Sequence, residues 1–303
     1  MNFVDGPLAL TLEIRSFNVA DLGAGFNLTR YLKADEPIVF VDGSPIFYNF
    51  NENDRQYFNR MFVDALMLAM AGADNAYEVT DTFLRYFKRK ERCRVTSMYT
   101  WLLGPEFRGP NALRDTANPL RIVYQDPSLV DPSLPADYCF KATKPLAAFS
   151  SGFNILLLCP GFFRRGPQIH LYDTDQWRAV GCDHMPDSMS GIVDIPGLTI
   201  LHEFLHWTTE TMAIAGIEID DYGSALSDGS LWKVPGGPNN GGSPYNCFVL
   251  NQRSDVETSL NADSYAWMAM EAWVAAQCPR KEMKDPVPYA PDDNAELDDD
   301  VPS

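Results

Sequence analysis

The chain has 303 residues, 46% of them hydrophobic, enough for one large core or for one domain with an appended lobe. Its formal net charge of −17 argues against nucleic acid and anionic membranes as partners, and no apolar run is long enough to span a bilayer. Six cysteines with no C-x-x-C pair argue against a cysteine zinc site and favour two or three disulfides in an oxidising compartment.

Residues 1–50 carry short apolar runs broken by glycine and proline, with a strand expected at Ile38-Val39-Phe40-Val41 and a turn at Asp42-Gly43-Ser44-Pro45. This segment reads as an N-terminal extension or small β-lobe. Its first residues, Met1-Asn2-Phe3-Val4-Asp5-Gly6, lack the basic and apolar regions of a secretory signal, and Asn27-Leu28-Thr29 is a glycosylation sequon. The spacing of Phe58, Phe62, Ala65, Leu66 and Ala69 predicts a helix over 53–72, stopped by Gly72. A second helix is expected at about 75–89, with Ala76, Val79, Phe83, Tyr86 and Phe87 facing inward and a basic end at Lys88-Arg89-Lys90.

Residues 104–146 are rich in proline and turn residues around one strand, Leu120–Tyr124. Phe153–Cys159 reads as a buried strand ended by Pro160-Gly161, and a further short strand is expected before Cys182. An apolar helix follows from about 196 to 215, with Pro196 in its first turn. Residues 228–248 read as a Gly/Pro/Asn loop long enough to be functional or mobile. A last helix is expected to start at a capping box, Ser254-x-x-Glu257, and to run to Gln277. The acidic run from Asp292 to Asp300 closes the chain as a solvated tail over 285–303, leaving 51–284 as the main domain.

The apolar helix contains Leu201-His202-Glu203-Phe204-Leu205-His206-Trp207. Two histidines four apart lie about 40° apart around a helix axis, so both imidazoles reach one metal ion. Glu203 projects to one side, where a carboxylate can take a proton from an activated water instead of ligating. Two histidines and a glutamate on so apolar a helix are costly unless something pairs them. Chance would place H-E-x-x-H in well under about 1% of chains of this composition and length.

A hydrolytic zinc ion takes three protein ligands, and the third names the subclass. Thr209 and Met212 hold the places where one class carries glycine and a third histidine. Glu257 and Glu271 are candidates for a glutamate from a later helix, and Asp220-Asp221-Tyr222-Gly223 offers an aspartate just after the motif. Position after the H-E-x-x-H helix favours Asp221, with Asp220 as the fallback.

H-E-F-L-H, then D-D-Y-G, then Asn261-Ala262-Asp263-Ser264-Tyr265-Ala266 resembles the deuterolysin (aspzincin) metallopeptidases, fungal secreted enzymes among them. The run Arg55-x-x-Phe58-Asn59-x-Met61-Phe62 and the strand ending Leu158-Cys159-Pro160 add to the likeness, which covers roughly residues 50–280. The resemblance implies an α+β, zincin-like fold, mainly helical, with a small β-sheet and a central H-E-x-x-H helix. It implies a secreted zinc endopeptidase acting on protein or peptide substrates, with one Zn²⁺ held by His202, His206 and Asp221 and with Glu203 as general base. Asp263 would stand behind the ligands. The chain departs from the family's G-T-x-D-x-x-Y-G: with Asp221 at the ligand position, Ser224 stands where the family carries tyrosine, leaving Tyr222 or Tyr265 to take that part. This departure motivates an alternative, a non-catalytic zinc-binding or surface protein on a decayed peptidase scaffold.

Overall fold

The computed structural model describes residues 46–103, 121–126, 137–140, 147–150, 155–163, 174–185, 187–189, 195–207, 216, 219–221 and 243–286. Strand β1 (Ile46–Tyr48) leads into α1 (Glu52–Glu78), which opens on a capping box: the Asp54 N–H donates to Asn51 Oδ1 at 2.9 Å and the Asn51 N–H to Asp54 Oδ2 at 3.3 Å. Gly72 does not stop this helix. A Cβ there would lie 2.5 Å from the Tyr99 ring, so the glycine lets another helix approach. The break comes at Val79, in the left-handed region at φ 54°, and Thr80 then caps α2 (Asp81–Tyr86) by accepting the Phe83 N–H. One helix expected over 75–89 is therefore the end of α1 plus the short α2. A 3₁₀ turn at Arg89–Glu91 and α3 (Arg92–Leu103), which carries Tyr99, follow.

Strands β2 (Arg121–Tyr124), β3 (Ala147–Ser150) and β4 (Ile155–Leu158) complete, among the described residues, a four-stranded sheet in the order β1-β2-β4-β3. β1, β2 and β4 run parallel, and β3 pairs antiparallel with β4 in the register Ala147↔Leu158 and Phe149↔Leu156. The pleat separates the faces of β4: Leu156 and Leu158 join the large helical core, and Ile155 and Leu157 pack with Val123, Cys139 and Cys159 behind it. β1 binds residues 46–50 to the main sheet, whereas the strand and turn expected at 38–45 and the sequon lie outside the described residues.

After β4 come α4 (Pro160–Phe163), α5 (Thr174–Val180), α6 (Pro196–Leu205), α7 (Pro244–Asn251) and α8 (Ala262–Gln277). The segment before Cys182 is thus helix α5, not a strand. Its first residue, Thr174, is fixed from outside by donating N–H and hydroxyl to the buried Asp64 carboxylate. Residues 244–248, expected in a loop, open α7 behind a Ser243 cap. The expected capping box at Ser254 does not form. Glu257 instead precedes a 3₁₀ turn and pairs with Arg94, and α8 begins at Ala262. The loop over 228–242 and the tail from 287 lie outside the described residues.

The molecule is mixed α and β and mostly helical. α1 is its spine, packed against α3, α6 and α8. Gly197 brings α6 onto α1 almost backbone to backbone: a Cβ there would lie 2.9 Å from both Ala65 N and Met61 O. Disulfides join Cys139 to Cys159 and Cys182 to Cys278, while Cys93 and Cys247 are thiols. No described helix is long and apolar enough to cross a membrane.

Candidate metal centre

α6 presents H-E-x-x-H at its C-terminal end. The helix ends at Leu205 with His206 as its C-cap (φ −80°, ψ 1°), and the part of the expected helix from 208 to 215 lies outside the described residues. The last turn tightens: the His206 N–H donates to Glu203 O at 3.1 Å and the Trp207 N–H to Phe204 O at 3.2 Å. Trp207 leaves the helical path to pack on Phe149 of β3 and on Phe204, so tertiary contact overrides propensity here. Both imidazoles therefore sit at the end of the helix dipole that favours a cation.

Ile219-Asp220-Asp221 brings the carboxylate to them. The Asp220 N–H donates to Leu260 O and the Ala262 N–H to Asp220 O, both at 3.0 Å, forming a parallel bridge to Asn261 at the start of α8. Asp220 Oδ1 accepts the Asp221 N–H at 2.8 Å. The tripeptide is thereby pinned to α8, and Asp221 faces the histidines: its Oδ2 is 3.4 Å from Nε2 of both, and those two Nε2 atoms are 3.1 Å apart.

The other ring nitrogens set the tautomers. His206 Nδ1 lies 3.2 Å from the Ile219 carbonyl, which can only accept, and His202 Nδ1 lies 3.0 Å from Asp263 Oδ1. Each neutral imidazole thus carries its proton on Nδ1 and turns an Nε2 lone pair toward the other and toward Asp221. Asp221 Oδ1 is buried with no hydrogen-bond partner. With both rings neutral, three lone-pair donors converge on one point, an arrangement that a cation or a shared proton relieves. Donors about 2.0–2.1 Å from a tetrahedral zinc ion stand roughly 3.3 Å apart, close to the spacing found. Among the described residues this is the group whose ligand atoms lie within 4.8 Å of one another.

Electrostatics follow from burial and these carboxylates. Burial pushes His202 down, but Asp221 and Asp263 outweigh it and hold the imidazole well above the ordinary histidine range; His206 is raised through Asp221 in the same way. Burial would raise Asp221, and the two imidazoles instead keep it well below the usual carboxylate range. A cation entering the site must displace those protons, so acid opposes its binding. For Asp263 burial wins and the carboxyl is raised. Glu203, 7% exposed, is likewise raised by burial against the pull of the histidines, which moves it toward the range of a useful general base.

His202, Glu203, His206 and Asp221 line one cleft of about 290 Å³ with Tyr138, Ala147, Ala148, Phe149, Ile219 and Asp220. The other acids weighed as ligands are committed elsewhere. Glu271 is fully buried and accepts from Arg85 Nη1 at 2.5 Å and from the Tyr86 hydroxyl at 2.9 Å, and Glu257 holds Arg94. Tyr265 is also buried away from the cleft, its hydroxyl donating to Ser259 O at 2.9 Å, which removes it as a partner for substrate; Tyr222 and Ser224 lie outside the described residues. Sequence reasoning passed over Tyr138 and strand β3. The remaining signal was Cys139, next to Tyr138, whose partner Cys159 follows β4.

Comparison with models of known protein families finds none that matches this chain, and comparison with curated proteins finds no match either.

Proposed function

We propose that this protein is a zinc-dependent endopeptidase of the deuterolysin (aspzincin) type, zincin-like in fold and acting outside the cell on protein or peptide substrates. The observation that carries the reading is the convergence of His202 Nε2, His206 Nε2 and Asp221 Oδ2 within 3.1–3.4 Å, with the buried Glu203 carboxylate in the same cleft. The two disulfides support an oxidising compartment.

His202, His206 and Asp221 would hold one zinc ion, which when bound supplies Lewis acidity and lowers the pKa of a water from about 15.7 toward about 7. Asp263 and the Ile219 carbonyl orient the two imidazoles for that task. Glu203 takes the proton of the attacking water and returns it to the leaving amine as the C–N bond breaks. β3 is an edge strand of the sheet among the described residues, and its Ala147 and Ala148 leave room beside the cleft. An extended peptide can pair with such an edge and bring its carbonyl to Glu203.

The test is metal analysis of the purified protein together with a casein digest. One zinc per chain, cleavage lost to a chelator and cleavage regained on adding zinc are expected. Glu203→Gln should retain the zinc and lose about 10²–10⁴-fold in kcat. Undiminished cleavage by that variant would overturn the assignment of Glu203. Zinc at full occupancy with no cleavage of any peptide would favour the alternative of a decayed scaffold.

A further inference from the structure

We propose that Asn261 is a positioning residue of this metal centre: its side-chain amide, by donating to Ser264 and Cys247, fixes the stretch of backbone from which both Asp221 and Asp263 are aimed at the histidines. The inference rests on the zinc reading above and adds to it the residue that sets its geometry.

Asn261 stands between the two carboxylates. On one side, its neighbours Leu260 and Ala262 hold Asp220 through the two 3.0 Å backbone bonds of the bridge, and Asp220 leads directly to Asp221. On the other side, Asp263 follows two residues on, in the first turn of α8, with its Oδ1 3.0 Å from His202 Nδ1. A shift of Asn261 therefore moves the ligand carboxylate and the carboxylate behind His202 together. Zinc sites tolerate about 0.2 Å in their ligand distances, and looseness of about 0.5 Å in the supporting residues is enough to spoil a site that is otherwise complete.

An asparagine at a helix start ordinarily turns its side-chain oxygen back onto an N–H of the first turn. Asn261 makes no such capping bond. The Ser264 N–H goes instead to the Asn261 main-chain oxygen at 3.1 Å. The Asn261 side-chain NH₂ donates to the Ser264 hydroxyl at 3.0 Å and to the Cys247 sulfur at 3.6 Å. All three residues are fully buried, so a bond lost here is not replaced by solvent. Cys247 belongs to α7, whose far end is tied to α2 by the Asn251 amide donating to Leu84 O at 2.7 Å. Burial above all holds the Cys247 thiol well above its ordinary range, so it meets Asn261 as a neutral sulfur. Asn261 thus joins α7, α8 and the 219–221 segment. Without its amide, α8 is free to settle differently against the other two.

Asn261→Ala removes both donors and leaves the backbone bonds of the bridge able to form. Below the melting range of either protein, its zinc Kd, read by competition with a chromophoric chelator, should be about 10-fold weaker than wild type. The visible absorption of the Co²⁺-loaded protein should change in position and intensity, since that metal reports the geometry of its ligands. Tyr86→Phe is the structural control. It removes a buried bond to Glu271 further along the same helix, so it should lower Tm, leave zinc Kd within about 2-fold and keep the cobalt spectrum of wild type. A lowered Tm in Asn261→Ala with wild-type zinc Kd and cobalt spectrum would reduce Asn261 to a packing residue and overturn the inference. So would an equal loss of zinc affinity in Tyr86→Phe. Should Asn261→Ala not fold, Ser264→Ala takes only the 3.0 Å acceptor from the amide. Zinc binding about 3-fold weaker, with an altered cobalt spectrum, is then expected, and wild-type values of both overturn the inference. A wild-type protein that binds neither metal brings down the zinc reading itself, and the part of Asn261 with it.

Discussion

Asp263 offers the sharpest test of how the site is assembled, because it touches His202 and lies outside the converging donor set. Its Oδ1 is 3.0 Å from His202 Nδ1, inside a site where the ring has little solvent to turn to. Asp263→Ala leaves the Nδ1–H without its acceptor and frees the ring to rotate or change tautomer. Loss of a carboxylate behind a ligating histidine costs about 10–100-fold in metal affinity. That is about 1.4–2.7 kcal/mol, the same size as the roughly 1–3 kcal/mol for leaving a buried donor unsatisfied. Asp263→Asn keeps an acceptor oxygen and loses only the charge, so its loss should be the smaller. Zinc Kd by competition with a chromophoric chelator at neutral pH reads both variants. Asp263 also sits in the first turn of α8, so each metal-free variant should lose about 0.3–1 kcal/mol of stability, measured separately by thermal melting. An alanine variant within 2-fold of wild type, or an asparagine variant weaker than alanine, would refute the reasoning.

Gly197→Ala should destabilise the fold by about 1–3 kcal/mol or more in urea melts, because the added Cβ meets the α1 backbone at Ala65 N and Met61 O, which cannot swing aside. Asp74 gives a pH signature. Burial, and then the Glu78 charge one turn on, raise its carboxyl from 3.8 to about 7. Between those values the folded state holds a proton that the unfolded chain has released, so this group's contribution to stability falls as pH rises from about 4 to about 7. Asp74→Asn should match wild type near pH 4 and exceed it at pH 8 by about 1–2 kcal/mol, the full linkage being discounted for partial exposure. Parallel stability–pH curves for the two proteins would count against it.

Parts of this molecule are legible residue by residue. Two histidines four apart imply a shared helical face, and Pro196 marks the start of the helix that carries them. The unbroken apolar run Ile155–Leu158 implies a buried strand. Gly72 misleads for a physical reason: its missing Cβ answers to Tyr99 on another helix, not to a local turn. β3 is hidden because a four-residue edge strand, Ala-Ala-Phe-Ser, has little pattern of its own and takes its register from β4. The end of α6 at Leu205 is hidden because Trp207 answers to Phe149.

The amino-acid order alone determined the chemistry on offer: an imidazole pair at helical spacing, an acid beside it, and aspartates just downstream. Which acid faces the pair was decided only in three dimensions, by the backbone bridge from Asp220 to Asn261 that turns Asp221 inward while α8 sets Asp263 behind His202. The arrival of Tyr138 in the same cleft was decided by a disulfide to the end of β4. Helical spacing is a local property, fixed within a turn by backbone hydrogen bonds. The meeting of α6, α8 and the 219–221 segment is a packing outcome, which no short window of residues encodes.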